Sequence, residues 1–463
     1  MSEASSLTES VAGKPSPITA WLARSSPRVF ATYAIIAAFS TYFCMYAFRK
    51  PFTAGVFDGT YDVPGLGELK WKIILVVSQI LGYTVSKFAG IKIVSEMSPA
   101  RRGLAIIALI AVAEAALGLF AVTPAPWSAI WLFANGIPLG MIWGLVFGFL
   151  EGRRTTEALG AGLSASFIVA SGAVKTVAVW VMGWGAVEVA PGKFGPGVVS
   201  EEAMPFVVGL MFFPPLLFFV FMLSRLPPPS AQDEALRVRR EPMNGADRKR
   251  FFMAFLPGLL VLTALHFFLT ALRTIRDDFG ADIWRELGFG TKPEIMTWSE
   301  LPVALGVLIG LGALMRIKDN RQALLVMQGL MAVGAVLVGL VTLGHEAGVV
   351  SHEAWMILIG LGLYLAYVPF GAMLFDRLIA ATGWIGTAGF MIYVTDSIGY
   401  LGSVSLTLYK DLGAAKLSWV EFLTGMCYAT SLICTAAFLF AIVYFARRTR
   451  PAPTTPGVRI ATS

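Results

Sequence analysis

Apolar runs of about twenty residues recur along the whole chain, divided by short polar or basic stretches. Each run is continuously apolar and does not alternate every second position, which selects helix over strand. Only helices and closed barrels satisfy their own backbone in lipid, and a helix of this length crosses the hydrocarbon layer. The pattern predicts twelve spans, at 28–50, 71–94, 102–122, 127–150, 158–183, 205–224, 250–274, 297–316, 322–344, 354–375, 383–408 and 419–446. The expected fold class is therefore an all-α membrane protein with twelve transmembrane helices. The longest polar insertion, 225–249, is proline-rich and charged. It reads as a linker between two six-helix bundles, 28–224 and 250–446, with polar tails at 1–27 and 447–463.

Composition agrees. The 463 residues are 56% hydrophobic and 14% charged, too little charge to cover a water-facing surface. The net charge of +7 does not point to nucleic acid, because the basic residues sit between the apolar runs, where topology signals sit. Arg24, Arg28, Arg101, Arg102, Arg153, Arg154, Arg316, Arg321, Arg377, Arg447 and Arg448 fall on one side. That bias places both termini in the cytoplasm of a cell inner (plasma) membrane. The first twenty residues lack an apolar core, so span 1 is expected to act as an uncleaved signal. Cys44, Cys427 and Cys434 lie in apolar runs without metal spacing and read as packing residues. An internal repeat supports two parallel halves: Arg49 and Arg273 lie 224 residues apart (273 − 49), and so do Arg153 and Arg377 (377 − 153). "FGFLEGRR" and "FGAMLFDR", which hold the second pair, each put Phe-Gly shortly before an acid and an arginine.

Charges inside membrane helices are costly and face a cavity or a partner. Helical spacing puts Tyr42, Tyr46 and Arg49 on one face of span 1, and Gln79, Tyr83 and Lys87 on one face of span 2. Ser164, Ser171 and Lys175 share a face of span 5, Thr263, His266, Thr270 and Arg273 one of span 7, and Tyr393, Asp396, Tyr400 and Ser403 one of span 11. Several polar stripes suggest a shared aqueous interior, and an excess of positive charge there attracts an anion. Two arginines suit a carboxylate or phosphate, since guanidinium forks donate in pairs. Each residue also has a plainer reading. Arg49 could be a snorkelling anchor, Lys175 a buried structural ion pair, and His266, Tyr42 and Tyr46 packing residues. Asp396 either neutralises a lysine or carries a proton, and Glu114 in span 3 reads as a packing or headgroup contact. No HExxH, GxSxG or P-loop pattern is present, so no enzyme is expected, and nothing calls for a cofactor or a metal.

Four stretches carry a family resemblance. "MYAFRKPF", "LGYTVSKFAG", "FLTALRTIRDDF" and "TAGFMIYVTDSIGYLGS" resemble helices one, two, seven and eleven of the organophosphate:inorganic phosphate antiporters of the major facilitator superfamily. The resemblance implies that Arg49 and Arg273 bind substrate phosphate, that Lys87 adds charge, and that Tyr42 and Tyr46 line the pocket. It implies that Lys50, Asp278 and, more loosely, Glu300 form salt bridges at a periplasmic gate. The family's fifth-helix histidine is replaced here by serines and Lys175. The expected function is alternating-access transport of a small, phosphorylated organic anion in exchange for phosphate, by a monomer in the bilayer. A non-transporting sensor of a phosphorylated metabolite, or a proton-coupled carboxylate symporter using Asp396, are the alternatives.

Overall fold

Why each span starts and stops where it does is visible at its ends. The computed structural model describes residues 16–449, except 96, 154, 191–192, 196, 231–232, 234–244 and 383–388. Ser26 caps the first long helix, α1 (Pro27–Tyr46), by accepting from the Val29 amide, with Pro27 in the first turn where no amide is needed. Span 1 was expected to run to residue 50. It stops at Tyr46 because Pro51 can donate no helical hydrogen bond, and a 3-10 turn, Pro51–Ala54, follows. Lys50 thus sits on a turn.

Eleven further long helices follow: α2 (Trp71–Ser95), α3 (Pro99–Val122), α4 (Ala129–Phe147), α5 (Thr156–Met182), α6 (Met204–Ser224), α7 (Leu256–Asp278), α8 (Glu300–Leu314), α9 (Asn320–Glu346), α10 (His352–Ala372), α11 (Gly389–Leu412) and α12 (Trp419–Arg448). The serine or aspartate rule recurs at α9, capped by Asp319, and at α10, capped by Ser351. Span 7 begins later than expected, after a separate short helix Gly245–Ala254, and ends four residues later, at Asp278. The expected start of span 11 at 383 and the centre of the linker lie outside the described residues.

Among the described residues, ten helices are long and apolar enough to cross a membrane. The other two, α2 and α11, are just as long at 25 and 24 residues. Asp396 and Lys410 lower the apolar character of α11, whereas residues 73–90 of α2 carry a single charge, Lys87, in an otherwise apolar run of membrane-crossing length. Large apolar side chains elsewhere face outward, with Leu104, Ile309 and Leu432 at 71%, 65% and 75% exposure. Such a surface suits lipid and not water. A two-stranded antiparallel hairpin, β1 (Thr60–Val63) and β2 (Gly67–Lys70), pairs Thr60 with Lys70 between α1 and α2.

The chain forms two compact units. The first holds residues 1–238, 274–305 and 403–423; the second holds 239–273, 306–402 and 424–463. Helices α7, α11 and α12 and the span Ile295–Leu314 therefore run from one unit into the other. Within the first unit, α2 and α4 touch backbone to backbone. A Cβ on Gly82 would lie 2.0 Å from the Phe133 carbonyl oxygen, and one on Gly136 would lie 2.4 Å from that of Gln79. Small residues at such contacts substitute for a hydrophobic drive that lipid does not provide. Within the second unit, Arg321 closes the end of α12 by donating to the Ala446 and Thr449 carbonyls, at 2.9 and 3.1 Å.

Candidate functional site

In the first unit the polar stripes of α1 and α2 converge. The Arg49 guanidinium lies 4.1 Å from the centre of the Tyr83 ring, and the Lys87 ammonium lies 5.3 Å from the same ring. Arg49 is also 5.9 Å from the Tyr46 ring. Tyr46 stacks edge-on against Tyr42 at 5.6 Å, and Tyr42 against Trp143 of α4 at 5.0 Å. All of these except Trp143 are buried. Aromatic faces attract cations most where water is excluded, so the rings help to hold both charges in place. The Gln79 amide donates to the Arg49 carbonyl at 2.9 Å and to Asn135 Oδ1 at 2.8 Å, fixing the end of α1 to α2 and α4.

Lys50, one residue on, is turned to a different task. Its ammonium ion-pairs with Asp278 and reaches Asp277 Oδ2 at 2.7 Å. Asp277 is shared: Lys175 of α5 pairs with its Oδ1 at 3.0 Å and donates to its backbone carbonyl at 2.7 Å, and Ser171 donates to the same Oδ1. Next to it, Arg276 pairs with Glu300 at 2.8 Å. Glu300 therefore sits among these salt bridges, but on Arg276 and not on Lys50. Lys72 reaches Asp282 at 2.5 Å and the Gly55 carbonyl at 2.7 Å. Thr176 donates to the Pro293 carbonyl and meets the Thr297 hydroxyl at 2.8 Å. Phe279 stacks on Trp419 at 3.8 Å, with the Lys410 ammonium 4.9 Å from the Trp419 ring. The end of α7 and the stretch after it, 279–297, are thus bound to the turn after α1, to α2, α5 and α12 by ions, hydroxyls and rings. A cleft of about 380 Å³ opens beside it, lined in part by Asp58, Lys70, Lys72, Asp282 and Trp419.

In the second unit the Arg273 guanidinium lies 4.8 Å from the Tyr367 ring. The His266 ring stacks on Tyr367 at 5.2 Å and packs against Phe370 at 4.7 Å, and its Nε2 is 3.2 Å from Asp396 Oδ1. Asp396 thus faces a histidine, where a lysine was one expectation. This approach of α11 to α7 depends on Gly399, where a Cβ would fall 2.5 Å from Thr270 Oγ1. Tyr364 lies 6.5 Å from Tyr367, edge-on.

Sequence reasoning singled out most of these residues but missed Asp277, Arg276, Lys72, Asp282 and Lys410. The pair Asp277-Asp278 was visible as a doublet, and helical spacing cannot say which acid of a doublet faces which neighbour. Lys72 opens α2 immediately after the hairpin, where a lysine reads as a headgroup contact. Glu114 is buried in α3. The three cysteines are free and buried, and no cluster of metal ligands occurs among the described residues.

A family model, described as a family of unknown function (DUF5690), matches residues 51–448. No curated protein matches the chain. Among solved structures, the chain is similar to a bacterial homolog of the human lysosomal transporter Spinster, in an inward-facing and unoccupied conformation. That match has 13% identity and a TM-score of 0.56, and covers 92% of this chain and 99% of that one. A D-xylose-proton symporter is similar at 12% identity and a TM-score of 0.58, over 90% of this chain and 97% of that one. At such identities the likeness shows the fold alone: an all-α, multi-pass membrane protein of the major facilitator type.

Proposed function

The chain belongs to this family of unknown function, and from that premise we propose that it is a secondary transporter moving a small organic anion by alternating access. One observation carries the reading: two buried cations from different helices, Arg49 and Lys87, set over the single ring of Tyr83. An anion entering there meets a guanidinium fork and an ammonium already oriented, so little entropy remains to be lost on binding. Arg273 over Tyr367 is the equivalent cation of the second unit, 224 residues on (273 − 49). The similar structures support the transporter class, since both carry transporter names.

The finer reading is a phosphorylated substrate exchanged for phosphate, with Tyr42 and Tyr46 beside Arg49. Lys50, Lys175, Asp278 and Glu300 then act as a gate that holds the end of α7 against α1 and α5. The protein works as a monomer in a cell inner membrane with both termini in the cytoplasm, as the arginine distribution suggests. A second reading, proton-coupled symport of a carboxylate, is favoured by the contact of His266 with Asp396, a pair that can exchange a proton. Thermal-shift titration of the purified protein with phosphate, a sugar phosphate, a phosphonate, a dicarboxylate and D-xylose separates these. Stabilisation by the phosphorylated compounds, lost in Arg49→Lys, supports the proposal. Stabilisation by D-xylose alone overturns it, and by the dicarboxylate alone selects symport.

A further inference from the structure

Glu114 lies within α3, eight residues before its end at Val122, or about 12 Å of helix. It is 6% exposed, and neither carboxyl oxygen has a hydrogen-bond partner among the described residues. The carboxyl group rests on Gly209 of α6, where a Cβ would fall 2.0 Å from Oε2. No counter-ion is at hand among the described residues. α4 and α6, the helices packed on α3, contain no titratable side chain between Ala129 and Phe147 or between Met204 and Ser224. On α3 itself the other charges are Arg101 and Arg102, more than three helical turns away. An ionised carboxylate in such surroundings is expensive, whereas a carboxylic acid needs far less solvation.

The residue before it is wired to the candidate site. Asn135 Nδ2 donates to the Ala113 carbonyl and to the Phe48 carbonyl, each at 3.0 Å. Gln79 joins Asn135 Oδ1 to the Arg49 carbonyl. One amide pair therefore spans α3, α4, α2 and the end of α1.

We propose that Glu114 is a proton-binding site, and that Asn135 and Gln79 link its occupancy to the Arg49 end of α1. The step is loss of H⁺ from the Glu114 carboxyl group to water, leaving a carboxylate that must then recruit donors. A shift of α3 that brings water or a donor to that carboxylate moves the Ala113 carbonyl, and with it Asn135 and Gln79. Release of the proton therefore loosens the seat of Arg49, and restraint of Arg49 favours the proton. The linkage rests on the transport reading only for the importance of Arg49.

Infrared difference spectroscopy of the full chain in liposomes, titrated with pH and without added anion, tests this. The absorption of a buried protonated carboxyl group is expected in the unaltered protein, is lost as pH rises, and is absent in Glu114→Gln. In Gln79→Leu and in Arg49→Ala the midpoint moves by about one pH unit, a tenfold change in proton affinity. Two linkage variants guard against one failing to fold. A band that persists in Glu114→Gln, or that never appears in the unaltered protein, overturns the proton site. An unmoved midpoint in both folded linkage variants overturns the coupling. Because no anion is present, either failure is distinct from failure of the anion reading.

Discussion

Arg49→Lys keeps a charge near Tyr83 but removes the fork that can hold two oxygens of one anion. We expect at least about a tenfold loss of affinity for phosphorylated ligands, with helix content and melting temperature unchanged, read by calorimetric titration. An unaltered affinity returns Arg49 to a structural role. Lys50→Ala belongs to the same scale and has a different cost. An exposed pair contributes about 1 kcal/mol or less, but the side chains of Lys50 and Asp277 are 4% and 11% exposed, so the buried scale applies. Removing one member of a buried cluster costs about 3–5 kcal/mol, here reduced because Lys175 still serves Asp277. The end of α7 should then part from α1. Spin labels at the exposed positions Val56 and Lys292, both in the first unit, would show a longer distance population; an unchanged distribution removes Lys50 from the gate. The partnership of Lys50 with Asp278 was implied by the family resemblance, which pairs a basic and an acidic residue at these places. The second grip, by Lys175 on Asp277, was not, because it depends on how far α7 turns past Arg273 before it ends.

Helices could be read more fully than their ends. Continuous apolar length placed all twelve long helices, yet α1 stops four residues short and α7 runs four residues beyond the expected limit. Proline explains the first. The second reflects charged residues, Arg276 to Asp278, that find buried partners, which no hydropathy pattern registers. α11 illustrates the same tension, since polar residues such as Asp396 and Lys410 weaken its apolar character. At this scale α5 yields a prediction. A Cβ on Gly172 would lie 1.9 Å from the Met296 carbonyl oxygen, backbone against backbone. Gly172→Ala should push α5 away from the turn 295–298 and break the Thr176–Thr297 contact of 2.8 Å. Overpacking of this kind costs about 1–3 kcal/mol. Cysteine pairs at 176 and 297 should crosslink readily in the parent and poorly with Gly172→Ala; equal crosslinking would show that the close approach is dispensable.

For the whole molecule, fold class and membrane character were readable in the sequence because they depend on sums over many residues: apolar content, run length and scarcity of charge. The candidate site was readable in part, because charges in lipid-length helices stand out, while the aromatic supports Trp143 and Trp419 are lost among the other apolar positions. Orientation remains a statement about arginines. It predicts that reporters fused to the two termini respond alike, both from the cytoplasmic side, and a split response would reverse the inferred topology. The transport proposal stands on an anion held by Arg49 and Lys87. Its most direct test is counterflow in proteoliposomes preloaded with unlabelled phosphate or sugar phosphate and given the labelled compound outside. The account predicts accumulation above empty liposomes, abolished by Arg49→Lys. Counterflow equal in the parent and in Arg49→Lys, or no counterflow of any phosphorylated or carboxylated anion by the folded parent, would contradict it.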